Sequence, residues 1–316
     1  QVPRIVDNDG DMFRVLQGLR GSQGEWDWET AFSYAKATKD DITRNRVSNN
    51  LATAALSDSS MDAFNPFDPT YEGSNIERIL IDVYRKSETE LTTFDFKVSN
   101  NELFELGAGS VAGLIGFEWR KEEYRDDRDP RLDGTIVFTD YQGDTYPYVS
   151  DVVNSSPTGD SSGSRNVTSM FAELQIPLLD NLDVQLAVRN ENYSDISDGN
   201  ISVGKAAFGY RPVESLLIRG SWSETFRAPN LVTVNEGLVA RSNTRRDWTC
   251  EYANQVTAEA YDLDCSNSIQ RSAQGSELLK SETGENTSIG FVFEPLDGLI
   301  LTADWWSIEK DDTIGL

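Results

Sequence analysis

Apolar and polar residues alternate along much of this chain, which is the pattern of β-strands that have one apolar face and one polar face. In the segment 182–188, leucine or valine occupies every second position, and aspartate, glutamine or alanine lies between. The same alternation predicts ten strands, near residues 11–20, 24–36, 86–98, 106–124, 166–176, 182–194, 201–210, 215–226, 283–294 and 298–309. The chain is therefore predicted to be all-β, with an antiparallel sheet.

The connections between these strands mostly alternate between long and short after residue 36. The long connections are 37–85, 125–165 and 227–282, and only the link at 195–200 is short where the alternation requires a long one. Transmembrane β-barrels of the outer membrane have long extracellular loops and short periplasmic turns. The asymmetry favours such a barrel over a soluble β-sandwich.

Prolines and aromatic residues lie near the ends of the predicted strands. Pro177, Pro212 and Pro295 fall at short turns, where a ladder ends and the missing N–H of proline is tolerated. Aromatic residues near strand ends suit the girdles of a membrane barrel, although the core of a soluble sandwich is the alternative. The residues assigned to girdles are Trp26, Trp28, Tyr193, Tyr210, Trp305 and Trp306. Within the first long connection, Asn49–Leu56 is predicted to form a short helix.

Composition narrows the class of protein. The mean hydropathy is −0.47, and no segment approaches the roughly 20 apolar residues of a membrane-spanning helix. Barrel strands need only about 9–11 residues, of which every second one is apolar. The net charge is −25, from 53 acidic and 28 basic residues, so the chain repels a phosphate backbone and nucleic acid is not an expected partner.

The chain contains no histidine, which excludes Ser-His-Asp triads, HExxH zinc sites and histidine-based acid–base catalysis. A soluble glycosidase that uses two carboxylates remains as an alternative. Asp7–Asp11 has the spacing of a calcium loop but lacks the distal glutamate, so a polar turn is predicted there. We expect no enzymatic activity, no metal and no cofactor.

The two cysteines, Cys250 and Cys265, lie in the same polar segment. They are predicted to form a disulfide in an oxidising compartment, which would stabilise the loop by about 3 kcal/mol in the chain-entropy model. The alternative is two unpaired thiols.

The most specific motif in the chain begins in a predicted strand and runs into the third long connection: Leu217-Ile218-Arg219-Gly220-Ser221-Trp222-Ser223-Glu224-Thr225-Phe226-Arg227-Ala228-Pro229-Asn230-Leu231. It resembles the strand and loop start of TonB-dependent outer-membrane receptors. Weaker similarity covers most of residues 86–310, in particular Gly116–Glu122, Phe171–Leu178, Leu186–Asp195, Phe208–Pro212 and Ala303–Glu309.

The resemblance implies that residues 1–316 are part of one β-barrel domain, contributing about ten strands to a plugged barrel of about 22. The plug domain, the TonB box and the C-terminal strands of the family are not recognisable. Gln1 follows no signal peptide and Leu316 is not the terminal aromatic residue of such barrels, so truncation at both ends is predicted.

The resemblance further implies a receptor in the bacterial outer membrane that imports a scarce nutrient, such as a siderophore, a carbohydrate or a peptide. The implied partners are that small ligand, the surrounding lipid and the TonB complex, which would act through N-terminal segments absent from this chain. The alternative is a structural or adhesive barrel that displays surface loops without energised transport.

The candidate ligand-binding residues lie in the third long connection. Arg227 is predicted to form a salt bridge near the outer rim or the lumen, with substrate contact as the alternative. Around the cysteine pair, basic and aromatic side chains form a mixture able to stack on a sugar or hold an anion; a loop that only gates the barrel is the alternative. These residues are Arg241, Arg245, Arg246, Trp248, Tyr252 and Tyr261.

Overall fold

The computed structural model describes residues 2–68, 70–256 and 264–315. The strands are β1 (Ile5–Gln23), β2 (Trp26–Val47), β3 (Leu80–Leu106), β4 (Gly109–Arg128), β5 (Val137–Thr139), β6 (Thr145–Ser150), β7 (Ser161–Leu179), β8 (Leu182–Tyr193), β9 (Asn200–Val213), β10 (Leu216–Arg227), β11 (Val239–Arg246), β12 (Ser266–Ala273), β13 (Glu282–Leu296) and β14 (Leu299–Asp311). The helices are α1 (Asn49–Leu56), α2 (Tyr71–Ser74), α3 (Pro130–Asp133), α4 (Leu231–Asn235) and α5 (Trp248–Val256), and Ile76–Ile79 is a 3₁₀ turn.

Ten strands form one antiparallel sheet in the order β1-β2-β3-β4-β7-β8-β9-β10-β13-β14, which confirms the predicted fold class. The remaining strands form two hairpins, β5–β6 and β11–β12, inside the long loops. Helix α1 has the predicted bounds, and its first turn is capped by Ser48, whose hydroxyl accepts a hydrogen bond from the Leu51 N–H at 3.1 Å. Among the described residues, no helix is long and apolar enough to cross a membrane.

The register gives the sheet one apolar face and one polar face, because directly opposed residues lie on the same side. On the apolar face, Ile218 is opposite Phe291, which is opposite Ala303. On the polar face, Nε and Nη2 of Arg219 donate hydrogen bonds of 2.8–3.0 Å to the carboxylate of Asp304.

The apolar face forms a band of limited height. On β10 it runs from Leu216 to Trp222 and on β14 from Leu299 to Trp305. Six steps of a strand span about 20 Å, close to the roughly 25 Å apolar band of a transmembrane barrel. Beyond Trp222, the next position on this face is Glu224. The band is therefore bounded by tryptophan at the edge that carries the long loops.

Four of the six aromatic residues predicted for girdles lie on the apolar face: Trp26, Trp28, Tyr210 and Trp305. The prediction is wrong for the other two. Tyr193 is buried on the polar face, where its hydroxyl donates to Glu191, and Trp306 lies opposite Ser288, which is on the same polar face. Sequence position near a strand end does not distinguish the faces, whereas the register does.

Several strands extend further than predicted at the long-loop edge. Residues 37–47 and 80–85 belong to β2 and β3, so the first loop is 48–79 instead of 37–85. The second loop is 129–160 instead of 125–165, and the third is 228–281, close to the predicted 227–282. Outside the apolar band both faces of a strand are polar, so the alternation disappears while the ladder continues.

The polar turn predicted at Asp7–Asp11 is also wrong. These residues lie within β1, which begins at Ile5, and Asp7 is opposite Ile42 in β2. The carboxylate of Asp7 accepts a hydrogen bond from Arg44 Nε at 2.6 Å. One residue of this acidic segment, Asp7, is thus paired with a cation of the neighbouring strand.

Candidate ligand-binding loops and polar face

Charged side chains form a connected network on the polar face of β4, β7 and β8. Arg120 Nε lies 2.8 Å from Glu122, and Arg165 Nη2 lies 2.7 Å from the other oxygen of the same carboxylate. Arg120 Nη2 donates to the Tyr193 hydroxyl at 3.0 Å, and that hydroxyl donates to Glu191 at 2.7 Å. Three strands are thus joined by hydrogen-bonded charges near the long-loop edge.

Arg165 links this network to two loops. Its side chain is only 10% exposed; Nη1 donates to the Pro229 carbonyl at 2.9 Å and lies 3.6 Å from the Asp195 carboxylate. Neither carboxylate oxygen of Asp195 has a hydrogen-bond partner among the described residues. Burial raises the pKa of Asp195, although the nearby Arg165 cation opposes this shift.

The start of the third loop packs onto the same region. The Phe226 ring meets the Tyr193 ring edge-on, with centroids 6.2 Å apart, and Val234 packs with Val167 and Ile196 in a small apolar cluster. Asn230 caps α4 by accepting a hydrogen bond from the Val232 N–H at 2.9 Å. The motif Phe226–Leu231 therefore anchors the base of the third loop.

Arg227 forms an ion pair at the end of the sheet. Its Nη1 lies 3.5 Å from Glu282, and Lys310 Nζ lies 2.9 Å from the same carboxylate oxygen. The Arg227 side chain is 73% exposed, whereas that of Glu282 is buried. The structure thus contains the predicted salt bridge at the rim.

The outer part of the third loop is a hairpin closed by a disulfide. Strands β11 and β12 pair along their whole length, and the ladder continues with a hydrogen bond from the Asp247 N–H to the Cys265 carbonyl at 2.8 Å. The predicted disulfide between Cys250 and Cys265 is present, with a Cα–Cα distance of 5.6 Å. We call β11, α5 and β12 together the arm.

Aromatic residues are exposed at the end of the arm. Trp248 and Tyr252 are four residues apart on α5, so they share one helix face, and they are 74% and 67% exposed. Arg246 lies over the Trp248 ring at 5.9 Å and pairs with Glu251 at 3.4 Å. The end of the arm therefore offers a planar ligand an accessible aromatic surface next to a cation.

The structure brings together only part of the predicted site. Arg246, Trp248 and Tyr252 meet at the end of the arm, and Arg245 is exposed on β11 beside them. Arg241 lies further back on β11, opposite Arg271. Arg227 is in a different place, at the end of β10. Tyr261 lies outside the described residues.

The first and second loops are held together by a buried carboxylate. Asp151 accepts hydrogen bonds at 2.8 Å from the Ser48 hydroxyl and from the Asn50 N–H, and Arg131 Nε lies 3.3 Å from it. The side-chain amide of Asn50 donates a hydrogen bond to the carbonyl of Val137 and accepts one from the N–H of Thr139, both in the β5–β6 hairpin. These two loops therefore form one packed unit.

A second carboxylate orders the outer part of the first loop. Asp58 accepts a hydrogen bond from the Ser60 N–H at 2.8 Å and pairs with Arg78 at 2.8 Å. These two interactions lower the pKa of Asp58 to about 2.

An antiparallel sheet with an apolar band on one face, charges on the other and long loops along one edge has the features of an outer-membrane β-barrel wall. The family model described as "TonB dependent receptor-like, beta-barrel" matches residues 4–316. The chain therefore belongs to the TonB-dependent receptor-like β-barrel family, which is a family of the outer membrane. Members of the family are receptors and transporters, not enzymes.

Solved receptors have the same fold. The siderophore receptor PirA from Acinetobacter baumannii superposes with a TM-score of 0.61 at 18% identity, over 96% of this chain and 35% of that chain. A mutant of the ferric enterobactin receptor PfeA from Pseudomonas aeruginosa gives 0.56 at 18% identity, over 95% and 35%. The RagAB peptide transporter gives 0.57 at 11% identity, over 97% and 31%.

The present chain therefore spans about a third of the length of these solved chains. At such low identities the similarity establishes the fold alone. No curated protein sequence matches the chain significantly.

Proposed function

We propose that this chain is part of the barrel wall of an outer-membrane receptor that imports a scarce nutrient with energy from the TonB complex. The observation that carries the proposal is the amphipathic ten-stranded sheet, together with the family match over residues 4–316. The apolar face contacts lipid, the polar face lines the lumen, and the long loops face the outside of the cell. The TonB complex acts through segments outside this chain.

The ligand is a small nutrient captured by the long loops. PirA is called a siderophore receptor, PfeA a ferric enterobactin receptor and RagAB a peptide transporter, and this range supports a small ligand without selecting one. Within this chain, the proposed capture residues are Arg241, Arg245, Arg246, Trp248 and Tyr252 of the arm, together with Tyr261. Arg227 has a structural role through Glu282.

The test is uptake by cells that produce the full-length receptor. Cells with and without the receptor gene, each in backgrounds with and without TonB, are supplied with radiolabelled ferric siderophores, oligosaccharides and peptides. We expect accumulation of at least one class only when both the receptor and TonB are present. If receptor-dependent accumulation persists without TonB, energised import is wrong. If none of the classes accumulates, a barrel that displays surface loops is the better description.

A further inference from the structure

Four aromatic residues lie close together in the β5–β6 hairpin of the second long loop. Phe138 is in β5, Tyr141 is in the turn, and Tyr146 and Tyr148 are in β6. The three tyrosines are 75%, 41% and 55% exposed, in chain order. Since the hairpin lies outside the apolar band, contact with lipid does not account for this exposure. We call these four residues the aromatic cluster.

Hydrogen bonds and ring packing hold two of the tyrosines in place. The Phe138 and Tyr146 rings are stacked, with centroids 5.4 Å apart. The Tyr146 hydroxyl donates to the Asp140 carboxylate at 2.9 Å, and the Gln142 side-chain amide donates to the Tyr141 hydroxyl at 2.9 Å. The hydrogen bonds between β5 and the first loop fix the hairpin on the packed unit of the two loops. Rings that are already arranged lose less entropy when a ligand binds.

The segment that contains the aromatic cluster is acidic. Residues 132–164 contain five aspartates and no lysine, arginine or glutamate. In the described part of the chain, neither Asp140 nor Asp144 has an ion pair. Partial burial raises the pKa of Asp140, but hydrogen bonds from Tyr146 and from the backbone of Asp144 and Gln142 bring it below its ordinary value. The Asp140 carboxylate is therefore charged at neutral pH and has no cation beside it.

Tyrosine rings beside carboxylates that lack a cation are suited to a positively charged ligand. The face of an aromatic ring carries partial negative charge and attracts an ammonium group that lies over it. The Asp140 N–H donates to the Asp144 carbonyl at 3.0 Å, so both carboxylates belong to one closed turn. Two negative charges in one turn favour a ligand with more than one positive charge and disfavour an anion.

We propose that the aromatic cluster, together with Asp140 and Asp144, binds a soluble aliphatic polyamine. The inference rests on the proposed function and specifies a ligand class for the second loop. The methylene segments of a polyamine would pack on the exposed rings of Tyr141 and Tyr148, and its ammonium groups would lie near the two carboxylates. The net charge of −25 would attract such a ligand to the protein.

The experiment measures binding of radiolabelled spermidine to the full-length receptor by equilibrium dialysis in an uncharged detergent, at low and at physiological salt. The leucine variant carries Tyr141→Leu and Tyr148→Leu. The phenylalanine variant carries Tyr141→Phe and Tyr148→Phe, which keeps both rings and removes only their hydroxyls. Asp144→Asn removes a carboxylate of the turn, and its matched control, Asp11→Asn, removes an exposed carboxylate of β1.

We expect spermidine to bind the unsubstituted receptor, and to bind more weakly at the higher salt concentration. The leucine variant should bind about tenfold more weakly, whereas the phenylalanine variant should stay within about twofold, because the ring and not the hydroxyl attracts the ammonium group. Asp144→Asn should weaken binding about threefold, and Asp11→Asn should match the unsubstituted receptor. Unchanged heat-dependent migration on gels will show that the variants are folded.

Three results would overturn the inference: no binding of spermidine to the unsubstituted receptor, equal binding by the leucine variant, or equal weakening by Asp144→Asn and Asp11→Asn. Trilysine, dialysed in the same way, tests a peptide as the source of the ammonium groups. Binding of trilysine without binding of spermidine would contradict a polyamine ligand.

The dialysis does not depend on transport, so the two proposals can fail separately. Spermidine binding without TonB-dependent uptake of any ligand would reject the proposed function and retain the polyamine site. Uptake without spermidine binding would retain the proposed function and reject the polyamine site.

Discussion

Arg165 joins three separate segments at the long-loop edge. It contacts Glu122 of β4, Asp195 between β8 and β9, and Pro229 at the base of the third loop. Its guanidinium group also lies 5.2 Å from the centroid of the Tyr193 ring. The buried Arg165 cation requires Glu122, its partner at 2.7 Å, because removal of that carboxylate would leave the cation without its nearest counter-charge.

Asp195 is predicted to reduce stability at neutral pH. Burial raises the pKa of Asp195 in the folded state, so the folded state is favoured while this carboxyl group is protonated at low pH. That stabilisation is lost as the pH rises through the folded-state pKa. Asp195→Asn should therefore increase hydrogen-exchange protection of residues 193–199 at pH 7, and the difference from the unsubstituted chain should shrink towards about pH 4. Lower protection in Asp195→Asn at pH 7 would contradict this reading, and Asp198→Asn, on an exposed carboxylate of the same connection, is the control.

Asp151 is predicted to hold the first and second loops together. Asp151→Ala removes the buried acceptor shared by Ser48 and Asn50 and leaves Arg131 without this partner, which should cost about 3 kcal/mol locally. Hydrogen-exchange protection of the N–H groups of residues 48–50 should then fall by about a hundredfold. The exposed Asp144→Ala in the same loop is the control, and equal protection in both variants would show that the loops are held by other contacts.

At the scale of elements, the ten main strands are predictable because a strand that crosses an apolar band must alternate. The prediction fails where this requirement ends. Residues 37–47 continue β2 beyond the band, and Asp7–Asp11 form part of β1, where Asp7 pairs with Arg44 of β2. The hairpins β5–β6 and β11–β12 were not predicted for the same reason, since neither crosses the apolar band.

The candidate site could be predicted only in part. The cysteine pair and the basic and aromatic residues of the arm lie close together in the sequence. The sequence alone therefore predicts that Arg246, Trp248 and Tyr252 are neighbours. The contact between Arg165 and Pro229 joins positions that are 64 residues apart, and Ser48 and Asp151 are 103 apart. No periodicity in the sequence encodes such pairs, so only the folded sheet reveals them.

The disulfide is predicted to stabilise the arm and not the sheet. Replacing Cys250 and Cys265 together by serine opens a closed segment with a sequence separation of 15, which should cost about 3 kcal/mol. Trypsin should then cleave faster at Arg245 and Arg246, while the main sheet keeps its resistance to heat in detergent. Unchanged cleavage would mean that the arm is held by its hydrogen bonds alone.

At the scale of the whole molecule, the two faces of the sheet meet different environments. The apolar face exposes large side chains such as Ile115, Met170 and Ile289, at 61%, 62% and 51%. So large an apolar surface is not stable in water but matches a lipid bilayer. In the described residues, the outermost strands β1 and β14 each pair with one neighbour.

The central claim is that the apolar face contacts lipid and the polar face contacts water. The direct measurement places single spin labels at Ile289 and Phe291, and separately at Ser288 and Gly290, in the full-length protein reconstituted into bilayers. We expect the labels at 289 and 291 to respond to dissolved oxygen in the bilayer, and those at 288 and 290 to a water-soluble nickel reagent. Equal access of the nickel reagent at all four positions would contradict the account.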